Sequence, residues 1–291
     1  MRERAKSVLK GWKQVLKAQR AQWRAAWARR FLSYGRPELL TALRDLGVGP
    51  GSCVMLHSAF SSANGFRGTI PDLIDTFLEA VGPQGHLMMV SLPYRTASLD
   101  WLQSGRQFDV RRTPSMMGMV SEVFRRREGV LRSLHPTHPI LVHGPRAEEI
   151  IAGHPECLHP CGPGTPFDWL LKLDGRSVFF NVPIDMFTFF HYLEHHVSPQ
   201  LPFPLYTEEP FDAPVVDTEG RPRSVRTYAF ARDAIRRRQP ERLYDELRSR
   251  GLVTQVRIGA SELLAVRVRD ALACTNDLQR QGRLFYDMSP A

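Results

Sequence analysis

The chain has 291 residues, 43% hydrophobic and 24% charged, which is ordinary for a globular protein and ample for one large core or two modest ones. No apolar run reaches the ~18 residues needed to span a bilayer, and the basic N-terminus lacks the apolar run and cleavage site of a signal peptide. The formal net charge of +9 is localised: residues 1–34 hold ten Lys and Arg against Glu3 alone, so the remainder is neutral and gives no argument for nucleic-acid binding.

Four Cys without framework spacing predict a reduced, cytoplasmic protein. Residues 1–34 read as a basic amphipathic helical extension, with Trp12, Trp23, Trp27 and Phe31 on its apolar stripe. Such a helix suits the anionic inner face of a membrane. Its stripe equally suits docking on the protein's own domain or on a partner subunit, including a homodimer.

After Gly35-Arg-Pro37 the chain alternates. A short helix is expected over Glu38–Leu46, a buried strand over Ser52–His57, a Ser- and Gly-rich loop to Thr69, a helix over Ile70–Val81 and a strand over His86–Leu92. Tyr94–Arg112 is irregular. Thr113-Pro114-Ser115 looks like a helix entry with Thr113 as N-cap, leading to a helix over Met116–Arg127 whose N-terminus suits an anion. A strand follows at Ile140–Val142, then helices at Glu148–Gly153 and Phe167–Leu173 and a strand from Arg176. Past a proline-rich stretch, Val215–Arg221 and Ser224–Phe230 suggest a hairpin. Pro240–Arg250 reads as a helix, Val253–Ile258 as a strand, and Ala260–Asp270 as mixed. This alternation predicts an α/β fold, a three-layer sandwich around a mixed sheet, with one domain over residues 35–291.

The stretch that carries chemistry is Thr188-x-x-His191-x-x-Glu194-His195. On a helix, residues three apart share a face. A carboxylate one turn from an imidazole can orient it as a general base. Asp185 lies just before, at the C-terminal end of a predicted strand, where open α/β sheets place their sites. A structural histidine explains the same residues. So does zinc hydrolysis, with His191 and His195 as ligands and Glu194 acting on water in an H-x-x-E-H pattern; no third ligand is evident. His154-x-x-Cys157-x-His159-x-Cys161 has metal-like residue types, but tight spacing and the absence of a second half argue against a zinc site. No metal is expected.

Several segments, in this order, resemble the aminoglycoside 3-N-acetyltransferase family: His57-Ser58 with its loop, Gly82-Pro-Gln-Gly-His-Leu, Pro114-Ser-Met-Met-Gly118, Arg132-Ser-Leu-His135-Pro136, Gly144-Pro-Arg-Ala, Gly164-Thr-Pro166 and Thr188-x-x-His191-x-x-Glu194. The resemblance spans most of residues 36–273. It implies transfer of an acetyl group from acetyl-CoA to a sugar amine, with His191 as base and Glu194 orienting it, and with Asp185 and Thr188 in the same catalytic group. His57, Ser58 and Ser61 would line the cofactor or carbonyl site, with Thr113 and Ser115 beside the pantetheine or phosphates and His135 close by. The chain departs from the family pattern around the acceptor side. Gly68-Thr69 stands where Gly-Gly is usual, Asn181-Val-Pro183 replaces Gly-Val-Gly, and His138 replaces a Ser. The candidate acids for a cationic acceptor are Asp185, Glu208, Glu209 and Asp212. The acceptor expected is an amino sugar, aminoglycoside-like or carried on a nucleotide or polyprenyl group in surface-polysaccharide synthesis.

Overall fold

The computed structural model describes residues 19, 23, 26–28, 30–61 and 63–289. The predicted extension over 1–34 lies mostly outside these. Among its described residues Trp23, Trp27 and Phe31 are exposed and Ala28 is buried. Its end is anchored: the Leu32 carbonyl accepts from the Ala260 N–H at 3.2 Å. Gly65, at φ 80°, lets that carbonyl approach where a Cβ would collide with it.

Among the described residues, ten strands and ten α-helices alternate. The main sheet orders its strands β4 (Leu131–Arg132), β5 (Ile140–His143), β2 (His86–Val90), β1 (Cys53–Ser58), β6 (Arg176–Phe180), β10 (Ser261–Arg267) and β9 (Val253–Ile258). β1 runs parallel to β2 and β6 at the centre, and the outer pairings are antiparallel. Side chains alternate across it. Val54, Leu56, Leu87 and Phe180 face α1 (Arg36–Asp45), α2 (Ile70–Val81) and the later helix α4 (Met119–Arg125). Met55, Met88, Phe179 and Val266 face the opposite layer. That layer comprises α5 (Ala147–Ala152), α6 (Pro166–Lys172), α7 (Phe190–Val197), α9 (Glu241–Ser249) and α10 (Val268–Arg280). The mixed sheet with helices on both sides is the architecture expected.

A smaller sheet orders β3 (Phe108–Asp109), β7 (Phe211–Val216) and β8 (Pro222–Thr227). The last two form the predicted hairpin. The supposedly irregular 94–112 stretch supplies β3 and the short helix α3 (Ser98–Gln103), which pack under this sheet through Trp101, Phe108 and Val215. Two helices escaped the sequence pattern, α8 (Arg232–Arg237) and most of the thirteen-residue α10. α10 carries polar residues between its buried Ala271, Cys274 and Leu278, which dilutes its apolar stripe.

The helix after Thr113 is corrected. It begins at Met119, not Met116, because Gly118 at φ 112° turns the chain at the N-cap. Thr113 caps nothing helical; its Oγ1 accepts from the Asp109 N–H at 2.9 Å.

Candidate active site

The C-terminal ends of β1 and β2 open into a cavity of about 450 Å³. His57, Ser58, Phe60, Met119, Ser121 and Thr188 line it, with methionine and valine side chains between. Its polar groups are few. Burial pushes the His57 pKa down to about 3, so this ring is neutral. It stacks on Phe179 at 4.9 Å, and its Nε2 is buried without a hydrogen-bond partner. An apolar slot with a small number of fixed polar atoms suits a flexible amide-bearing arm, so the residues present fit the pantetheine portion of coenzyme A.

Thr188 joins this cavity to the predicted base. Its carbonyl accepts from the His191 N–H at 3.1 Å. α7 starts at Phe190 and buries Phe190, Leu193, Glu194 and Val197. His191 lies on the flank, its side chain 23% exposed, while Glu194 is fully buried. The His191 Nδ1 lies 2.7 Å from Glu194 Oε2. A carboxylate only accepts, so Nδ1 carries the proton and Nε2 keeps its lone pair.

Two residues that local sequence reasoning missed complete this arrangement. Arg238 donates from Nε to Glu194 Oε1 at 2.5 Å, and the Tyr286 hydroxyl donates to the same oxygen. Burial alone would raise the Glu194 pKa; Arg238, then His191 and Tyr286, more than offset it and hold the carboxyl below its ordinary value. Arg238 also lies over the Phe230 ring at 4.8 Å. Phe230 and His138 close around His191 at ring separations of 5.1 Å and 5.7 Å. His138 is buried, and burial first, then the neighbouring cations, pushes its pKa well below the usual value. Arg238 and Tyr286 stand 44 and 92 residues from Glu194 in sequence, so no local pattern points to them. His138 was visible as a departure from the family motif.

The other predicted site residues scatter. Ser58 and Thr188 line the cavity with His57. Ser61 is exposed and outside the lining. Ser115 is buried, its hydroxyl 2.9 Å from that of Ser121, which does line the cavity. Thr113 sits in the turn described above. Asp185 is exposed on a 3-10 turn, Ile184–Met186. His135 is wholly buried behind the site, stacked on His154 at 4.4 Å. Its Nδ1 accepts from the His138 N–H at 3.2 Å, and its Nε2 has no partner.

The zinc arrangement does not assemble. His195 turns its Nδ1 to the Tyr206 hydroxyl at 3.0 Å, away from the Glu194 pair. His154 bonds Ser133 and the Pro160 carbonyl, whereas His159 stacks on Tyr228. Among the described residues no three His, Cys, Asp or Glu side chains are grouped to hold an ion. No helix among them is long and apolar enough to cross a membrane.

Comparison with known proteins matches this architecture. The profile described as aminoglycoside 3-N-acetyltransferase covers residues 55–280. Aminoglycoside N(3)-acetyltransferase IV of a Salmonella species is 34% identical over 161 residues, 55% of this chain and 58% of that protein. Aminoglycoside N(3)-acetyltransferase IX of Micromonospora chalcea is 31% identical over 165 residues, 52% of this chain and 58% of that protein. The aligned region thus spans little over half the length of these relatives. The crystal structure of aminoglycoside acetyltransferase AAC(3)-IVa superposes with a TM-score of 0.66 at 26% identity, covering 87% of this chain and 91% of that one. With most of its length matched by the family profile, the chain belongs to the aminoglycoside 3-N-acetyltransferase family.

Proposed function

We propose that this protein transfers an acetyl group from acetyl-CoA to an amine of an aminoglycoside-like amino sugar. The observation that carries the reading is His191 held by Glu194 beside an apolar cavity at the C-terminal end of β1. An ammonium has no lone pair to attack with, so a base must remove a proton. His191 Nε2 takes it as the amine nitrogen bonds the thioester carbonyl carbon. The C–S bond then breaks, and the imidazolium returns the proton to the departing sulfur. Holding the two substrates together supplies much of the remaining rate. The buried group His191, Glu194 and Arg238 is neutral overall before the proton arrives. Glu194 therefore steadies the imidazolium without leaving a bare anion in the resting enzyme.

AAC(3)-IVa has been solved in complex with gentamicin, which supports an aminoglycoside acceptor here. The test is a coupled thiol-release assay with acetyl-CoA and a panel of aminoglycosides and amino sugars. Turnover should fall about 10²–10⁴-fold in His191→Ala. Equal turnover in that variant would sink the assignment of the base. Binding has an independent thermal check: acetyl-CoA at 100 times its dissociation constant should stabilise the fold by about 2.7 kcal/mol.

A carrier-linked acceptor at the membrane surface is the second reading. It draws on the excess charge of residues 1–34 and on the exposure of Trp23, Trp27 and Phe31, spaced four residues apart. Removing residues 1–34 should release the protein from anionic vesicles; retention would end this reading.

A further inference from the structure

A second cavity, of about 550 Å³, lies between Val110–Arg112, the C-terminal end of α4, β4 and the β7–β8 turn at Thr218. Five of its nine lining residues are arginines, namely Arg111, Arg112, Arg125, Arg126 and Arg132, and none is acidic. Two carboxylates stand behind them. Glu122 is shared by Arg125 and Arg126 at 2.7 Å and 2.8 Å, and also accepts from the Ser115 N–H. Asp109 accepts from the N–H groups of Arg111 and Arg112 and lies 4.0 Å from the Arg112 guanidinium.

Arg132 is the built part of this groove. It is 6% exposed and has no carboxylate partner among the described residues. Its Nη atoms donate to the carbonyls of Ser91 and Thr113, each at 2.6 Å, and its face lies over the Phe108 ring at 4.6 Å. Its Nε is buried with no partner. Burial, and then Arg125, push its pKa down to about 9. Five guanidiniums gathered against two carboxylates raise the energy of the fold unless an anion joins them. Guanidinium forks match phosphate oxygens bidentately.

We propose that this groove binds the diphosphate of a phosphorylated small molecule. The exposed forks of Arg111, Arg112 and Arg126 contact the phosphates, and buried Arg125 and Arg132 supply fixed charge beneath. Two sources carry this chemistry: the nucleotide end of an acyl-CoA donor and a nucleoside diphosphate borne by an acceptor. α4 links the two cavities, with Met119 and Ser121 at the apolar one and Arg125 and Arg126 at this one. Its seven residues rise about 10 Å, so one extended ligand can reach both. The proposal needs only the groove; the choice of donor as source rests on the acetyltransferase reading.

The test is calorimetric titration with inorganic pyrophosphate at low salt. The full chain is compared with the triple variant Arg111→Ala/Arg112→Ala/Arg126→Ala and with Arg257→Ala, an exposed arginine elsewhere on the surface. The three groove substitutions are at exposed positions, and Arg125 and Arg132 are left in place. Binding should weaken at least tenfold in the triple variant and stay unchanged in Arg257→Ala. Replacing the three by lysine keeps the charge and removes the forks, so affinity should recover in part. No binding by the full chain, or equal binding by the triple variant, overturns the proposal. Displacement of pyrophosphate by coenzyme A identifies the donor; displacement by uridine diphosphate alone identifies a nucleotide-linked acceptor. Displacement by neither overturns the assignment to a phosphorylated metabolite. Pyrophosphate binding without acetyl transfer would refute the function proposed above and leave this groove standing.

Discussion

Arg238 lies 2.5 Å from Oε1 of Glu194, so the carboxylate that binds His191 is itself held by a buried cation. The base is thus the outer member of a chain that starts inside the protein. Its strength as a positioned base depends on groups that never reach the acceptor.

Glu194→Gln keeps the side chain's shape and strands Arg238 without a counter-ion. Breaking one side of a buried pair costs about 3–5 kcal/mol, so the urea midpoint should drop sharply along with turnover. The Glu194 pKa is depressed from its ordinary 4.5. Its stabilisation is therefore present above that value and is lost as pH falls through the folded-state pKa. The stability gap between wild type and Glu194→Gln should narrow below about pH 4.5; a gap independent of pH would refute the ionised pair.

Tyr286→Phe removes one donor to the same oxygen while keeping the ring packed on Phe285 and Phe203. A hydrogen bond to a charged group contributes about 1.5–3 kcal/mol. Turnover should fall on the order of tenfold with little change in KM, since Tyr286 acts through Glu194. A change confined to KM would place Tyr286 in acceptor binding instead.

Four buried histidines set an acid limit on the fold. Burial lowers the pKa of His57 to about 3 and of His154 to about 4, and depresses His135 and His138 well below 6.5. Each is neutral when folded and protonates near 6.5 when unfolded, so the unfolded state binds more protons below that pH. Stability should fall as pH drops through 6.5 and continue falling toward pH 4, by about 1.4 kcal/mol per unit for each group. Urea melts at pH 7.5 and 5.5 measure this; equal midpoints would show that these rings are not buried neutral.

His195→Gln should retain most turnover, because its ring bonds Tyr206 and not the Glu194 group. Dialysis against a chelator should leave rate and melting temperature unchanged. Loss of activity in either experiment would restore the zinc arrangement.

Asn181 occupies the left-handed region at φ 55°, which explains why glycine is usual there in the family pattern. Its side chain bridges to Ser261 Oγ at 2.9 Å and accepts from the Glu262 N–H at 3.1 Å. Asn181→Gly should be nearly neutral and Asn181→Val destabilising by about 1–2 kcal/mol, read from thermal melts.

The sequence by itself determined the local parts. Alternation and punctuation gave Ile70–Val81 and Val253–Ile258 with the bounds observed, and the three-residue spacing placed His191 and Glu194 on one helical face. Such features depend on neighbours within a turn or a pleat, where side-chain period and backbone propensity act directly. Tertiary structure decided what Glu194 meets. Arg238 arrives just after α8 and Tyr286 from the tail beyond the residues the family profile covers. Their meeting depends on how α10 and the final strand pack, and no local pattern encodes that. Thr113 and Ser61 fell away for the same reason: their polar side chains suited a site equally well in sequence, and only the path of the loops turned them from the cavity. The arginine groove also required folding, since its five charges come from three separate segments brought together by the pairing of β3, β7 and β4 with their neighbours.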